Sequence, residues 1–168
     1  MIPDPKLSPG CRSPSSVVCP PSSLYRLIPL AEKQGSVGGA LIMFQPGTTP
    51  DGLPFEIRKV LYMTDIRAGD VRGGHAHHET EEVLVCLHGA CTVDLDDGRG
   101  RKESVRLDRR DQALLLYPHL WRVVRDFAPG TELLAVAGRG YDEKDYIRDR
   151  TEFERMAPQW TSPGGSAG

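Results

Sequence analysis

Two histidines, His75 and His77, are separated by a single residue and are the side chains in this sequence best placed to do chemistry together. Alternate residues of a β-strand point to the same face, so on a strand both imidazoles would enter one space. Glu82 follows at the start of an apolar run and can bring a carboxylate to the same space. Two imidazoles and a carboxylate can either move protons near neutral pH or hold a metal ion.

The elements that must position these residues are predicted to be short β-strands. Glycine- and aspartate-rich turns separate the apolar runs, as at 96–100 and 128–130, and this pattern is typical of a sandwich or barrel. Only residues 151–156 look helical, and Thr151 is the expected N-cap. The predicted strands are 39–45, 57–66, 83–87, 92–95, 104–107, 113–117, 120–127 and 133–137.

Length and composition predict one soluble domain. The chain has 168 residues, of which 39% are hydrophobic and 26% charged, and its net charge is −2. These values do not favour a nucleic-acid or membrane-surface binder. Residues 1–23 are rich in proline and serine and are expected to be a disordered tail, as is 157–168, which leaves 24–156 as the folded domain. Four cysteines and the absence of a signal-peptide pattern predict a cytoplasmic protein.

A glycine, the His-x-His pair, Glu82 and Gly89 together resemble the first conserved motif of the cupins. A longer stretch, 55–153, resembles the TDP-4-keto-6-deoxyhexose 3,4-ketoisomerases, the WxcM-like cupin sugar isomerases of deoxysugar biosynthesis. The matching segments include Arg-Gly-Gly-His-Ala-His at 72–77 and Tyr-Asp-Glu-Lys-Asp-Tyr-Ile-Arg-Asp at 141–149. This resemblance implies an all-β cupin or jelly-roll fold, a small β-barrel with a short C-terminal helix. It also implies a homodimer that needs neither metal nor cofactor.

The resemblance implies that the enzyme moves a keto group of a TDP-linked 4-keto-6-deoxyhexose from C4 to C3. One group removes the proton at C3, an enediol or enediolate forms, and a proton returns at C4. This requires a group that both accepts and donates protons near neutrality, and histidine fits. The essential pair of the family falls on His75 and His77. We expect His75 to be the principal acid–base group and His77 its partner.

Substrate binding needs cations for the diphosphate and hydrogen-bond donors for the enediolate. The family arginine falls on Arg72, which is therefore expected to contact the diphosphate. Tyr62 and Arg122 are candidate donors to the enediolate. Trp121 is a candidate platform for stacking, although a tryptophan in a strand is more often a packing residue. The candidate substrate-binding residues are thus Arg72, Tyr62, Glu82, Arg122 and Trp121.

The sequence also departs from the family pattern and leaves other functions open. Leu61 stands where the family has a tyrosine that faces the active site, and an early family arginine is missing near 39–41. One alternative is a metal-dependent cupin of the dioxygenase type, with His75, His77 and Glu82 as ligands and His119 as a further ligand if its loop turns inward. The others are a nucleotide-sugar epimerase and a binder without catalytic activity.

Overall fold

The computed structural model describes residues 24–47 and 49–160, so both predicted tails lie largely outside the described residues. Within them, one α-helix, α1 (Arg150–Met156), and two 3-10 turns, Glu143–Asp145 and Ala157–Gln159, follow the sheets. No helix among the described residues is long and apolar enough to cross a membrane. The strands are β1 (Tyr25–Pro29), β2 (Glu32–Gln34), β3 (Ala40–Ile42), β4 (Lys59–Met63), β5 (Arg72–His77), β6 (Glu82–His88), β7 (Cys91–Asp96), β8 (Lys102–Leu107), β9 (Gln112–Leu116), β10 (Trp121–Arg125), β11 (Glu132–Ala137) and β12 (Tyr146–Ile147).

The long strands form two five-stranded sheets in which all neighbours run antiparallel. The first sheet has the order β1-β9-β6-β11-β4, and the second has the order β12-β5-β10-β7-β8. Strands β2 and β3 form a separate hairpin. The apolar residues of the inner faces of both sheets meet in the main core, which contains Leu84, Val93, Leu114 and Leu133. The predicted all-β jelly-roll fold with a short C-terminal helix is therefore confirmed.

Strand β6 is apolar on both faces because it is covered on both sides. Leu84 and Cys86 point into the main core, whereas Val83 and Val85 pack in a second cluster outside the first sheet. Glu82 lies two residues before Leu84 and therefore shares its inward direction. The first residue of this buried strand thus carries a carboxylate into the space between the sheets.

Each strand predicted from the apolar runs is present as one of β3, β4 and β6–β11, with ends that differ by a few residues. Two N-terminal strands were missed. Strand β1 lies at the edge of the first sheet and pairs with β9, from Tyr25 opposite Leu116 to Pro29 opposite Gln112. Its stability depends on a partner distant in sequence, which local patterning does not reveal.

The predicted start of the C-terminal helix was wrong by two residues. The N-cap is Asp149, not Thr151, because an Asp149 carboxylate oxygen accepts a hydrogen bond from the backbone N–H of Glu152 at 2.8 Å. The chain also continues beyond 156 as an ordered 3-10 turn. There the ring of Trp160 packs 5.5 Å from that of Phe153.

Candidate active site

A glycine bulge at the start of β5 sets the position of the histidines. Gly73 and Gly74 both have positive φ, and the register between β5 and β10 shifts at this point. A Cβ on Gly73 would lie 2.7 Å from the carbonyl oxygen of Arg122, so only glycine allows the two backbones to approach this closely. Beyond the bulge, His75 lies directly opposite Arg122.

His75 and His77 point between the sheets, and Ala76 between them points outward. The two imidazole centroids are 5.1 Å apart, with the rings nearly perpendicular. His77 is 1% exposed, whereas His75 is only half-buried. Among the described residues, His75 Nδ1 and both His77 ring nitrogens are buried without an aligned hydrogen bond. The predicted pair is thus brought together, and His75 is the more accessible member.

Burial keeps both histidines neutral. It lowers the pKa of His75 from 6.5 to about 4, and the positive charge of Arg122 lowers it further in the same direction. Burial likewise lowers the pKa of His77 to about 3, with smaller contributions from Arg122 and His75. A neutral imidazole can accept a proton at once, so both residues are in the state that a general base needs.

Asp145, which the sequence analysis did not single out, holds His77 in place. Its Oδ2 lies 2.9 Å from His77 Nδ1, although the angle is too poor for an aligned hydrogen bond. The carboxylate also accepts hydrogen bonds from Thr80 Oγ1 at 2.5 Å and from the backbone N–H of Glu79 at 2.8 Å. The Asp145 carboxylate is therefore fixed, and its negative charge raises the pKa of His77 against the larger effect of burial.

Tyr146 is a second residue that the sequence analysis missed. Strand β12 pairs with β5 so that Tyr146 lies opposite His77. Its ring centroid is 4.3 Å from that of His77 and 5.0 Å from that of His75. Lys59, on the inner face of β4, donates a hydrogen bond to the Tyr146 hydroxyl oxygen at 3.1 Å. A signal was available, because Asp145 and Tyr146 both lie in the family block 141–149.

Arg122 and Glu82 form a buried ion pair across the space between the sheets. Arg122 Nη2 lies 3.3 Å from Glu82 Oε1, and their side chains are only 4% and 7% exposed. Arg122 projects from β10 beside His75, and Glu82 projects from β6 on the facing sheet. Both predicted residues therefore belong to the site, with the guanidinium as its buried cation.

Two other candidates lie away from the histidines. Trp121 points out of the second sheet, where it packs 5.4 Å from the ring of Phe153. Tyr62 lies opposite Leu134 on the outer face of the first sheet, and its hydroxyl donates a hydrogen bond to Glu132 at 2.6 Å. Neither side chain shares the face that carries His75 and His77.

Arg72 and His119 lie at the margin of the site. Arg72 begins β5, is exposed, and pairs with Asp70 at 2.8 Å, so it is available to solvent three residues before His75. The backbone N–H of His119 donates to the carbonyl oxygen of His77 at 2.8 Å. Its ring, however, stacks on Trp160 at 4.4 Å and does not turn inward.

The donor arrangement does not match the metal-site alternative. Glu82 is engaged by the guanidinium of Arg122, which also lies beside His75 and would repel a cation. Residues 24–47 and 49–160 contain no group of three His, Cys, Asp or Glu side chains placed to hold a metal ion. The inner face is arranged instead as neutral histidines next to a buried cation.

Two facing antiparallel sheets with an inward histidine pair give the architecture of a cupin. The chain belongs to the FdtA family, whose model is described as WxcM-like, C-terminal, and matches residues 23–158. It is 40% identical to a TDP-4-oxo-6-deoxy-alpha-D-glucose-3,4-oxoisomerase of Aneurinibacillus thermoaerophilus over 103 residues. This aligned region covers 61% of this chain and 73% of that protein.

Solved structures agree with this family assignment. A 3,4-ketoisomerase from Helicobacter canadensis has a TM-score of 0.73 and 36% identity, over 80% of this chain and 97% of that one. The 3,4-ketoisomerase QdtA from Thermoanaerobacterium thermosaccharolyticum, in complex with TDP, has a TM-score of 0.74 and 29% identity, over 81% and 96% of the two chains. A 3'-monoepimerase from Streptomyces bikiniensis, at 19% identity and a TM-score of 0.60, shares the fold over 73% of this chain and 68% of that one.

Proposed function

We propose that this protein is a sugar-nucleotide 3,4-ketoisomerase that moves the keto group of a TDP-linked 4-keto-6-deoxyhexose from C4 to C3. The observation that carries the proposal is the pair of histidines on the inner face of β5, with ring centroids 5.1 Å apart and a buried arginine beside them. Relatives with this reaction in their names, found by both sequence and structure, support the same substrate class.

His75 acts as the principal acid–base group in this proposal. It is half-buried, so a sugar can reach it, whereas His77 is almost completely enclosed and anchored by Asp145. His75 takes the proton from C3 and returns a proton at C4. His77 supports it by holding the His75 ring in position from the enclosed side, with the two ring centroids 5.1 Å apart.

Arg122 stabilises the negative charge that develops on the enediolate. Its guanidinium is buried beside His75, and a fixed charge in a water-poor site acts strongly on developing charge. Glu82 holds the guanidinium in place from the facing sheet. Arg72, exposed at the start of β5, is the proposed contact for the diphosphate because arginine can bind phosphate oxygens through two parallel hydrogen bonds.

We propose that the protein is a cytoplasmic homodimer. Strand β4 lies at the edge of the first sheet and exposes Val60, Leu61 and Tyr62 by 57%, 43% and 55%. Adjacent exposed apolar residues on an edge strand are typical of an association surface. Light scattering coupled to gel filtration measures the mass directly, and a monomer at micromolar concentration would contradict the dimer.

The reaction is tested by proton NMR of chelator-treated protein with TDP-4-keto-6-deoxyglucose in deuterated water. The expected result is a 3-keto sugar with deuterium at C4, and the spectrum reports whether the C4 hydroxyl is axial or equatorial. Inversion at C3 without migration of the keto group would indicate an epimerase. A reaction that appears only after iron or manganese is added would indicate a metal-dependent enzyme. Binding of TDP with no exchange would indicate a binder.

A further inference from the structure

The isomerisation requires two proton transfers, one between carbon atoms and one between oxygen atoms. At carbon, the C3–H bond breaks and a C4–H bond forms. At oxygen, the O3–H bond breaks and an O4–H bond forms, as C3 becomes the carbonyl and C4 the alcohol. A histidine that has taken the proton from C3 is already protonated and must deliver a proton to C4, either the same one or one exchanged with solvent. A second group is therefore needed to carry a proton from O3 to O4.

Tyr146 is the hydroxyl-bearing residue that contacts both histidines. Its ring lies within 5.0 Å of each imidazole, measured between centroids. It projects from β12 on the same side as His77, and it is half-buried, so its side chain is partly accessible beside the histidines. Leu61, an inward position on the facing strand β4, carries no exchangeable proton.

Two cations surround the Tyr146 side chain. Lys59 projects from the facing sheet, and its Nζ donates a hydrogen bond to the Tyr146 hydroxyl oxygen at 3.1 Å. The guanidinium of Arg148 lies 4.3 Å from the centroid of the Tyr146 ring. A lysine ammonium has only donors, so the phenol accepts in this contact and keeps its own proton for another acceptor. If that proton leaves, the two cations stabilise the phenolate that remains.

We propose that Tyr146, assisted by Lys59, is the catalytic residue that relays the proton between the two sugar oxygens, a role that rests on the ketoisomerase function proposed above. Once His75 has removed the C3 proton and the enediolate has formed, Tyr146 donates its hydroxyl proton to O4, which gives the neutral enediol and a phenolate. The phenolate then takes the proton from O3 as the C3 carbonyl forms and His75 returns a proton to C4. The tyrosine ends as it began, so no other reactant is consumed.

The test is Tyr146→Phe, which keeps the ring against both histidines and removes only the hydroxyl. Formation of the 3-keto sugar is expected to fall roughly a hundredfold or more, as for loss of a proton-transfer group. Exchange of the C3 proton with deuterated water, which uses the histidine alone, should stay within about tenfold of wild type. Affinity for TDP should stay within about twofold. Tyr141→Phe is the matched control, because it removes an exposed hydroxyl from the same segment.

Two outcomes would overturn the relay. One is Tyr146→Phe that isomerises within about threefold of wild type. The other is equal loss of C3 exchange and of isomerisation with TDP binding intact, because Tyr146 would then act in the carbon step. Lys59→Met should also lower isomerisation more than C3 exchange, with about a tenfold loss of isomerisation. Normal isomerisation by this variant would overturn the role assigned to Lys59. Wild-type protein that fails to isomerise would reject the proposed function itself, which separates the two failures.

Discussion

The inner and outer faces of β5 and β10 have opposite chemical character, although their residues alternate along the same strands. The inner face presents His75, His77 and Arg122. The outer face presents Ala76 and Trp121, which pack with α1. Residues that are neighbours in sequence thus have opposite environments, because the side-chain period of a strand is two. Position within the alternation decides which residue can reach a substrate.

The two faces also differ in what they contribute to stability. On the outer face, Ala76, Ile147 and Phe153 are at most 1% exposed, and complete burial of a large apolar side chain contributes about 1.5–3 kcal/mol. On the inner face, burial disfavours the charged forms of both histidines and requires Arg122 to pair with Glu82. Around His75 and His77, the outer-face packing therefore stabilises the fold, and the inner-face positions use part of that stability to hold reactive groups.

The largest expected effect on the inner face is that of His75→Asn. Asparagine approximates the size of histidine but cannot act as the base, so kcat should fall roughly a thousandfold, within the range for general acid–base catalysis. Turnover is measured by NMR and the fold by circular dichroism. His88→Asn is the control, because His88 is exposed at the other end of β6. Turnover within a few-fold of wild type would reject His75 as the principal base.

The buried ion pair offers a second contrast between the faces. Arg122→Met leaves the Glu82 carboxylate buried without its partner and should cost about 3–5 kcal/mol in the free energy of unfolding. The double variant Arg122→Met with Glu82→Leu removes both charges and should be clearly more stable than the single variant. Urea denaturation measures both.

An outer-face pair serves as the control for this experiment. Arg150 contacts Asp96 at 2.5 Å, but its side chain is 35% exposed and Asp96 also pairs with Lys102. Arg150→Met should therefore cost at most about 1 kcal/mol. An equal cost for Arg122→Met and Arg150→Met would contradict the expectation that an ion pair buried at both partners depends more on its cation than one whose arginine is 35% exposed.

The histidine pKa values predict how stability depends on pH. Below pH 6.5 the unfolded chain protonates His75 and His77, while the folded protein resists until about pH 4 and 3. The unfolded state binds more protons over this range, so the free energy of unfolding falls as pH decreases from 6.5 towards 4. The shifted pKa of His75 alone should lower the free energy of unfolding by on the order of 3 kcal/mol between pH 6.5 and pH 4, at about 1.36 kcal/mol per pKa unit.

Denaturation at pH 7.0, 6.0 and 5.0 measures this slope. His75→Asn should make the stability profile flatter than that of wild type, because one titrating group is lost. His88→Asn again provides the control. If His75→Asn left the pH dependence of stability unchanged, the pKa of the His75 imidazole would not differ between the folded and the unfolded protein.

The all-β class and the histidine pair could be predicted from the sequence because both depend on local pattern, whereas the jelly-roll fold was predicted from the family resemblance. Apolar runs and turn residues define β6 to β11, and His75 and His77 obey the strand period. Tyr62 could not be placed, because no local signal says which face of β4 meets the core. Asp145 and Tyr146 reach the site only through the pairing of β12 with β5, a contact between segments about 70 residues apart. Such long-range pairings follow from topology, which one sequence does not display.

Trp121→Ala is expected to have little effect on substrate binding, and it tests the division between the faces most directly. Because it is half-buried against Phe153 and beneath the guanidinium of Arg150, Trp121→Ala should lower the free energy of unfolding by about 2 kcal/mol. KM for the sugar nucleotide should stay within about twofold, since the ring points away from the histidines. Trp121→Phe keeps an aromatic contact and should recover most of the stability. A tenfold rise in KM without loss of stability would place the substrate against the outer face. The alternation along β10 would then not decide which of Trp121 and Arg122 contacts the substrate.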